Sequence, residues 1–339
     1  MRSSPLAFGL CVLSVCGQIA HAETYGIVDT FKVGGEGKWD YPSLDSVSHR
    51  LYLSRETHVM VIDSGSGKLI GDIADTPGVH GIAIASDLGR GFISAGKSNQ
   101  VKVFDLNTLK VMTTLEVGSK PDAILYDAAS HQVFAFNGHS SNASVIDAKT
   151  PTVIATIALG GGPEFAQSDG SGTVFVNIEN KNELAVLDAR LHKVTAHWPL
   201  PGCEGPTGLA LDVIHHRSFS VCANAKMTIL DTLTGKAVAT LSIGAHADGA
   251  AFDPQRQDAF SSNGDGTLSV VHETDPTHFS VAQTVTTVPG AKTIALDTIS
   301  HKIYLPAAAA AAAGPKGQPG NSAPPGSFVV LVVDASRTP

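Results

Sequence analysis

Seven residues recur once in each of seven repeats along the 339-residue chain: Asp40, His80, Asp122, Glu164, Thr207, Asp248 and Lys292. Four of the seven are acids and one is a histidine. A second recurring set adds Arg55, Lys97, His139, Glu179, Asn180, Asn224 and Asp265, and His246 stands two residues before Asp248. Carboxylates and histidines that share one cavity can hold a divalent cation such as Zn²⁺, Mn²⁺ or Ca²⁺. Such an ion polarises a carbonyl or activates water. The candidate metal ligands are Asp122, Glu164, Asp248, His80 and His246, with His139 as a candidate base. Against this chemistry stands a plainer one, in which an aspartate at a strand start caps its own turn and acids around a wet mouth are simply solvated. Converging acids still raise one another's pKa and need counter-charge. Lys292 and Arg55 could supply that charge without any metal. The chain has no His-Glu-x-x-His, no Gly-x-Ser-x-Gly, no phosphate loop and no Cys-x-x-Cys-His.

The elements that must position these residues follow from a repeated phrase, an alternating apolar strand ending in Asp. It closes at Asp63, Asp105, Asp147, Asp188 and Asp231; at His272 the strand persists but the Asp is replaced. A seventh copy, Val329 to Asp334, comes later because of an insertion over 306–326. The Asp carboxylate can accept from backbone N–H groups two residues on and hold the turn. Two short strands precede each phrase and one follows it, then a Gly/Pro corner. Four short strands every 40 to 45 residues predict an all-β, seven-bladed β-propeller of four-stranded antiparallel blades. The blades start near 40, 80, 122, 164, 207, 248 and 292. The last blade lacks an outer strand, and residues 25–33 are expected to complete it and close the ring, which removes two sheet edges. Ligand-binding residues then gather in a funnel at one end of the axis: Asp40, Arg55, His80, Asp122, His139, Glu164, Glu179, Asp248 and Lys292.

The chain also resembles the YncE-like, or YVTN-repeat, family of bacterial seven-bladed propellers. The resemblance rests on the Gly-x-x-Pro-Asp corner at Gly118 to Asp122, the Val-Ile-Asp strand ends, and Pro325-Gly326-Ser327-Phe328 leading into the last strand. The name-giving tetrapeptide occurs nowhere intact. The resemblance implies the fold and export, and carries no catalytic residues over.

Residues 1–22 read as a secretory signal: Arg2, an uncharged apolar stretch from Leu6 to Val15, and a small-x-small site at Ala20-His21-Ala22. Leu13-Ser14-Val15-Cys16 resembles a lipobox, with Val15 bulkier than usual. The apolar stretch is too short to span a bilayer, which takes about 20 residues, so no transmembrane segment is expected in the mature protein over 23–339. Cleavage near Ala22 places it in the periplasm or outside the cell. The mature chain keeps 22 basic against 31 acidic residues, a net charge of −9, a poor match for nucleic acid or anionic lipid. Cys203 and Cys222 remain after cleavage, in a compartment that permits a disulfide; redox or copper chemistry is the alternative, without a Cys-x-x-Cys. The insertion carries Ala307 to Ala313 and fits either a lid over the funnel or an unstructured loop. The expected function is a binding scaffold, most simply a monomer, for an unidentified protein or small molecule at the funnel. The alternative is a metal-assisted, lactonase-like hydrolase or lyase in the same funnel, and a third is an accessory to a periplasmic redox enzyme.

Overall fold

The computed structural model describes residues 24–308 and 326–336. Residues 1–22, read from sequence as a signal, and the insertion apart from its first three residues and its last, lie outside the described residues. Pro306, Ala307 and Ala308, the start of that insertion, belong to a strand paired with Val330, Val329 and Phe328.

Six four-stranded antiparallel sheets follow one another over 42–73, 79–116, 121–158, 163–199, 206–242 and 247–286. The seventh contains Ala295–Leu296, Ile303–Ala308 and Phe328–Ser336, with Thr24–Lys32 from the other end of the chain as its outermost strand. First strands touch first strands around the whole circle, and Pro42–Asp45 meets Ala295–Leu296 to close it. The chain is a seven-bladed β-propeller.

Second and third strands are buried along nearly their whole length, because both faces of every blade are covered by its neighbours, while outer strands are largely exposed. The buried apolar side chains accordingly fall into seven clusters, one at each junction between adjacent blades. Ring closure uses the same means. Thr24–Lys32 pairs with Phe328–Ser336, and Tyr25 packs edge-on against Phe260 of blade six, ring centroids 5.2 Å apart. The Tyr25 hydroxyl donates to buried Asp258 at 2.6 Å.

The strand-ending aspartates do the structural work expected of them. Asp105 accepts from the amides of Asn107 and Thr108, Asp147 from Lys149 and Thr150, and Asp231 from Leu233 and Thr234, all at 2.8–3.0 Å. In the turns after Asp63 and Asp231 a glycine is obligatory. Gly67 and Gly235 sit at φ +68° and +70°, and a Cβ on either would lie 2.4 Å from Phe31 or Trp198 on the preceding blade's outer strand. Left-handed backbone and close approach both exclude a side chain there.

Hydroxyl and amide side chains on second strands tie successive inner strands together. Ser94 bonds the backbone of Gly81 and the carbonyl of Asp122, and Asn177 donates to the carbonyls of Thr207 and Gly208. Thr207 donates to Val221 and Ala247. This belt holds the openings of neighbouring inner strands, among them Asp122 and Thr207, in fixed relative positions.

Candidate functional site

Asp40 precedes the first inner strand, His80 and Asp122 are second residues of theirs, and the belt aligns all three at one end of the ring. His80 Nδ1 lies 2.7 Å from Asp40 Oδ2 and 3.4 Å from Asp122 Oδ1. One ligand atom from each of the three residues falls within 4.8 Å of the others. Burial alone would lower the His80 pKa, but the bond to Asp40 and the charges of Asp122 and Asp40 outweigh it and raise it. Asp122 is pushed up to about 6 by burial and by Asp40 and Asp248, against the pull of His80 and Lys120.

Across the ring, Glu164 is raised well above the usual carboxylate range, first by burial and then by Asp122, Asp248, Glu179 and Asp40. Tyr41 reaches over from blade one, its hydroxyl donating to Glu164 at 3.4 Å and its ring 5.0 Å from that of Phe165. Asp248 is raised by burial, with Lys292 Nζ opposing that shift from 2.6 Å. The end of the ring thus holds four carboxylates, one lysine and one histidine, an electrostatic arrangement able to bind a cation or to trade protons near neutral pH.

Among the described residues two cavities stand out. One, about 540 Å³, is the central channel, lined by inner-strand residues such as Leu44, Ile84, Tyr126 and Phe252. Tyr41 and Phe165 border it, and the four carboxylates do not line it. The other, about 460 Å³, lies on the funnel side between blades one, two and three. Asp40 and His80 form part of its wall, with Lys38, Lys97, Lys120 and His139 around them. Lys97 also pairs with Glu56 at 3.1 Å.

The remaining expected site residues divide by role. His139 is exposed at the cavity and Glu179 is exposed beside Glu164. Arg55 is fully buried. Its guanidinium stacks 3.6 Å from the Phe328 ring centroid and donates to the carbonyls of Glu36 and Gly37, which anchors the first corner instead of facing a ligand. Asn180, Asn224 and Asp265 accept from the amides of Gly162, Glu204 and Ala245, so they hold corners. His246 is exposed with φ +57° in the turn before its strand. Of the five expected metal ligands only His80 and Asp122 cluster, and Asp40 completes the group. Tyr41, Lys38 and Lys120 were not singled out by sequence; Lys38 and Lys120, each two residues before a recurring acid, carried a signal that charge periodicity could have exposed.

Cys203 and Cys222 form a disulfide, Cα atoms 5.5 Å apart, just ahead of the Pro206–Cys222 pair that starts blade five. Among the described residues no helix is long and apolar enough to cross a membrane. No protein-family model matches the chain, and no curated protein matches it in sequence.

Proposed function

We propose that this propeller is an exported ligand-binding scaffold whose ligand is a small anion, a carboxylate or phosphate, seated in the cavity beside Asp40 and His80. The observation that carries it is the 460 Å³ volume ringed by Lys38, Lys97, Lys120 and His139 in a chain that is acidic overall. Its size falls in the range of small-molecule sites. The disulfide supports an oxidising compartment, and the repeat phrases support placement among YncE-like propellers. Thermal-shift and calorimetric screening of small carboxylates and phosphates tests the idea. A ligand whose affinity drops at least tenfold in Lys38→Ala and Lys120→Ala supports it; no binder among these classes, or indifference to both changes, rejects it.

A second function, metal-assisted hydrolysis or elimination, is favoured by the Asp40–His80–Asp122 convergence. Those three residues would hold the ion, which when bound polarises a carbonyl or activates water. His139, on the same cavity, would move a proton, and the lysines would orient an anionic substrate.

A further inference from the structure

The opposite end of the ring carries a second convergence, at the junction of blades five and six. Asp212 ends the inner strand Pro206–Asp212, His215 lies in the turn after it, and Glu273 comes from the third strand of blade six, Thr267–Asp275. His215 Nδ1 lies 2.6 Å from Asp212 Oδ2 and 3.2 Å from Glu273 Oε1. Ligand atoms of all three fall within 4.8 Å of one another.

The corresponding places in other blades are built differently. In blades one, three and seven the inner strand ends Asp-x-x-Ser, and the serine hydroxyl donates to the aspartate: Ser48 to Asp45, Ser130 to Asp127, Ser300 to Asp297. In blade five His215 stands where that serine would be. The Glu273 position is defined by its amide, which donates to the Gln257 carbonyl. The same backbone bond in blades one to five belongs to Ser64, Leu106, Ala148, Ala189 and Thr232. A glutamate therefore fills a place that elsewhere takes a small or apolar side chain.

Glu273 is fully buried, and neither carboxylate oxygen has a partner in hydrogen-bonding geometry. The nearby cation is committed elsewhere: Arg217 binds Asp231 at 2.8 Å and the carbonyls of Pro276 and His216. A buried carboxylate without hydrogen bonds costs several kcal/mol unless it is neutralised.

We propose that Asp212, His215 and Glu273 bind a divalent transition-metal ion of the zinc or manganese type that clips blade five to blade six. Two carboxylates and one imidazole are a borderline-to-hard donor set that suits these ions. The ion takes the place of the proton between His215 Nδ1 and Asp212 Oδ2, so binding releases a proton and weakens as pH falls. His215 is about a third exposed, which gives the ion an entry path and room for a water ligand. This site is independent of the funnel.

The full chain, stripped with chelator, is titrated with ZnCl₂ and with MnCl₂ and followed by calorimetry, elemental analysis and thermal unfolding. One tightly bound equivalent is expected, which survives in Asp40→Asn/His80→Ala and is lost in Glu273→Gln and in His215→Ser, the residue that blades one, three and seven carry there. Unfolding should rise by about 4 °C at a hundredfold excess of ion over Kd. Two results overturn the proposal. One is the absence of a bound equivalent sensitive to Glu273→Gln or His215→Ser. The other is a Glu273→Gln protein more stable than the metal-loaded parent at pH 8, which would mean that no ion offsets the burial of the Glu273 carboxylate.

Discussion

Nδ1 of His80 lies 2.7 Å from Oδ2 of Asp40, a contact that joins the mouth of blade two to that of blade one. The partners are 40 residues apart and meet because the ring makes consecutive blades neighbours. Asp122, from blade three, stands 3.4 Å from the same nitrogen.

The raised pKa of His80 gives this contact a definite pH dependence. Its contribution is fully present below about pH 6.5, the unfolded value, and is lost as pH rises through the folded value. His80→Gln should cost on the order of 1–2 kcal/mol at pH 5.5 and less at pH 9. Urea unfolding at both pH values checks this; an equal cost at each would show that the imidazole acts by packing.

Glu164 has the same sign for a different reason. A carboxyl raised by burial and by neighbouring acids stabilises the fold while neutral, and that stability is lost as pH rises past its ordinary value near 4.5. Glu164→Gln cannot ionise. It should match the parent at pH 4 and exceed it at pH 8 by on the order of 1–2 kcal/mol. Parallel stability curves for the two proteins would show an ordinary solvated carboxylate at 164.

The Cys203–Cys222 bond closes a loop with a sequence separation of 19. Chain-entropy reasoning assigns such a loop about 3 kcal/mol. The Cys203→Ser/Cys222→Ser protein should therefore unfold roughly 5 °C lower. Calorimetry on parent and variant, each with and without reductant, checks it, and reductant should affect the parent alone.

Ring closure depends on the outermost strand of blade seven, and Tyr25 is its polar anchor. Tyr25→Phe removes the 2.6 Å hydrogen bond to Asp258 and leaves that buried carboxylate with His272. A loss of about 1–2 kcal/mol is expected. Hydrogen exchange should rise first at 24–32 and 328–336; uniform exchange across all blades would mean that closure is not the weak point.

Much of the architecture was legible in the chain because its causes are local and repeated. Alternation, an Asp-capped turn and a Gly/Pro corner each act within a few residues, so their recurrence revealed seven blades and even the borrowed strand. The Cys203–Cys222 pair was legible too, since hairpin register alone brings both to one end. The seven inner-strand positions could likewise be read off, but not which of them touch.

Contacts across blade boundaries depend on how side chains pack in the closed ring, and spacing does not encode that. Arg55 reads as an exposed funnel cation, yet it stacks under Phe328 because ring closure brings residues 273 apart together. Asp40 rather than Glu164 or Asp248 joins His80 and Asp122, since Glu164 lies across the ring beneath Tyr41 and Asp248 is held by Lys292. Glu273 shows both levels at once. The missing Asp at 272 marked blade six as irregular in sequence, while only the packing of blade six against blade five placed the displaced acid beside Asp212 and His215. Local hydrogen bonding determined the repeat, and burial between blades decided which charges had to find one another.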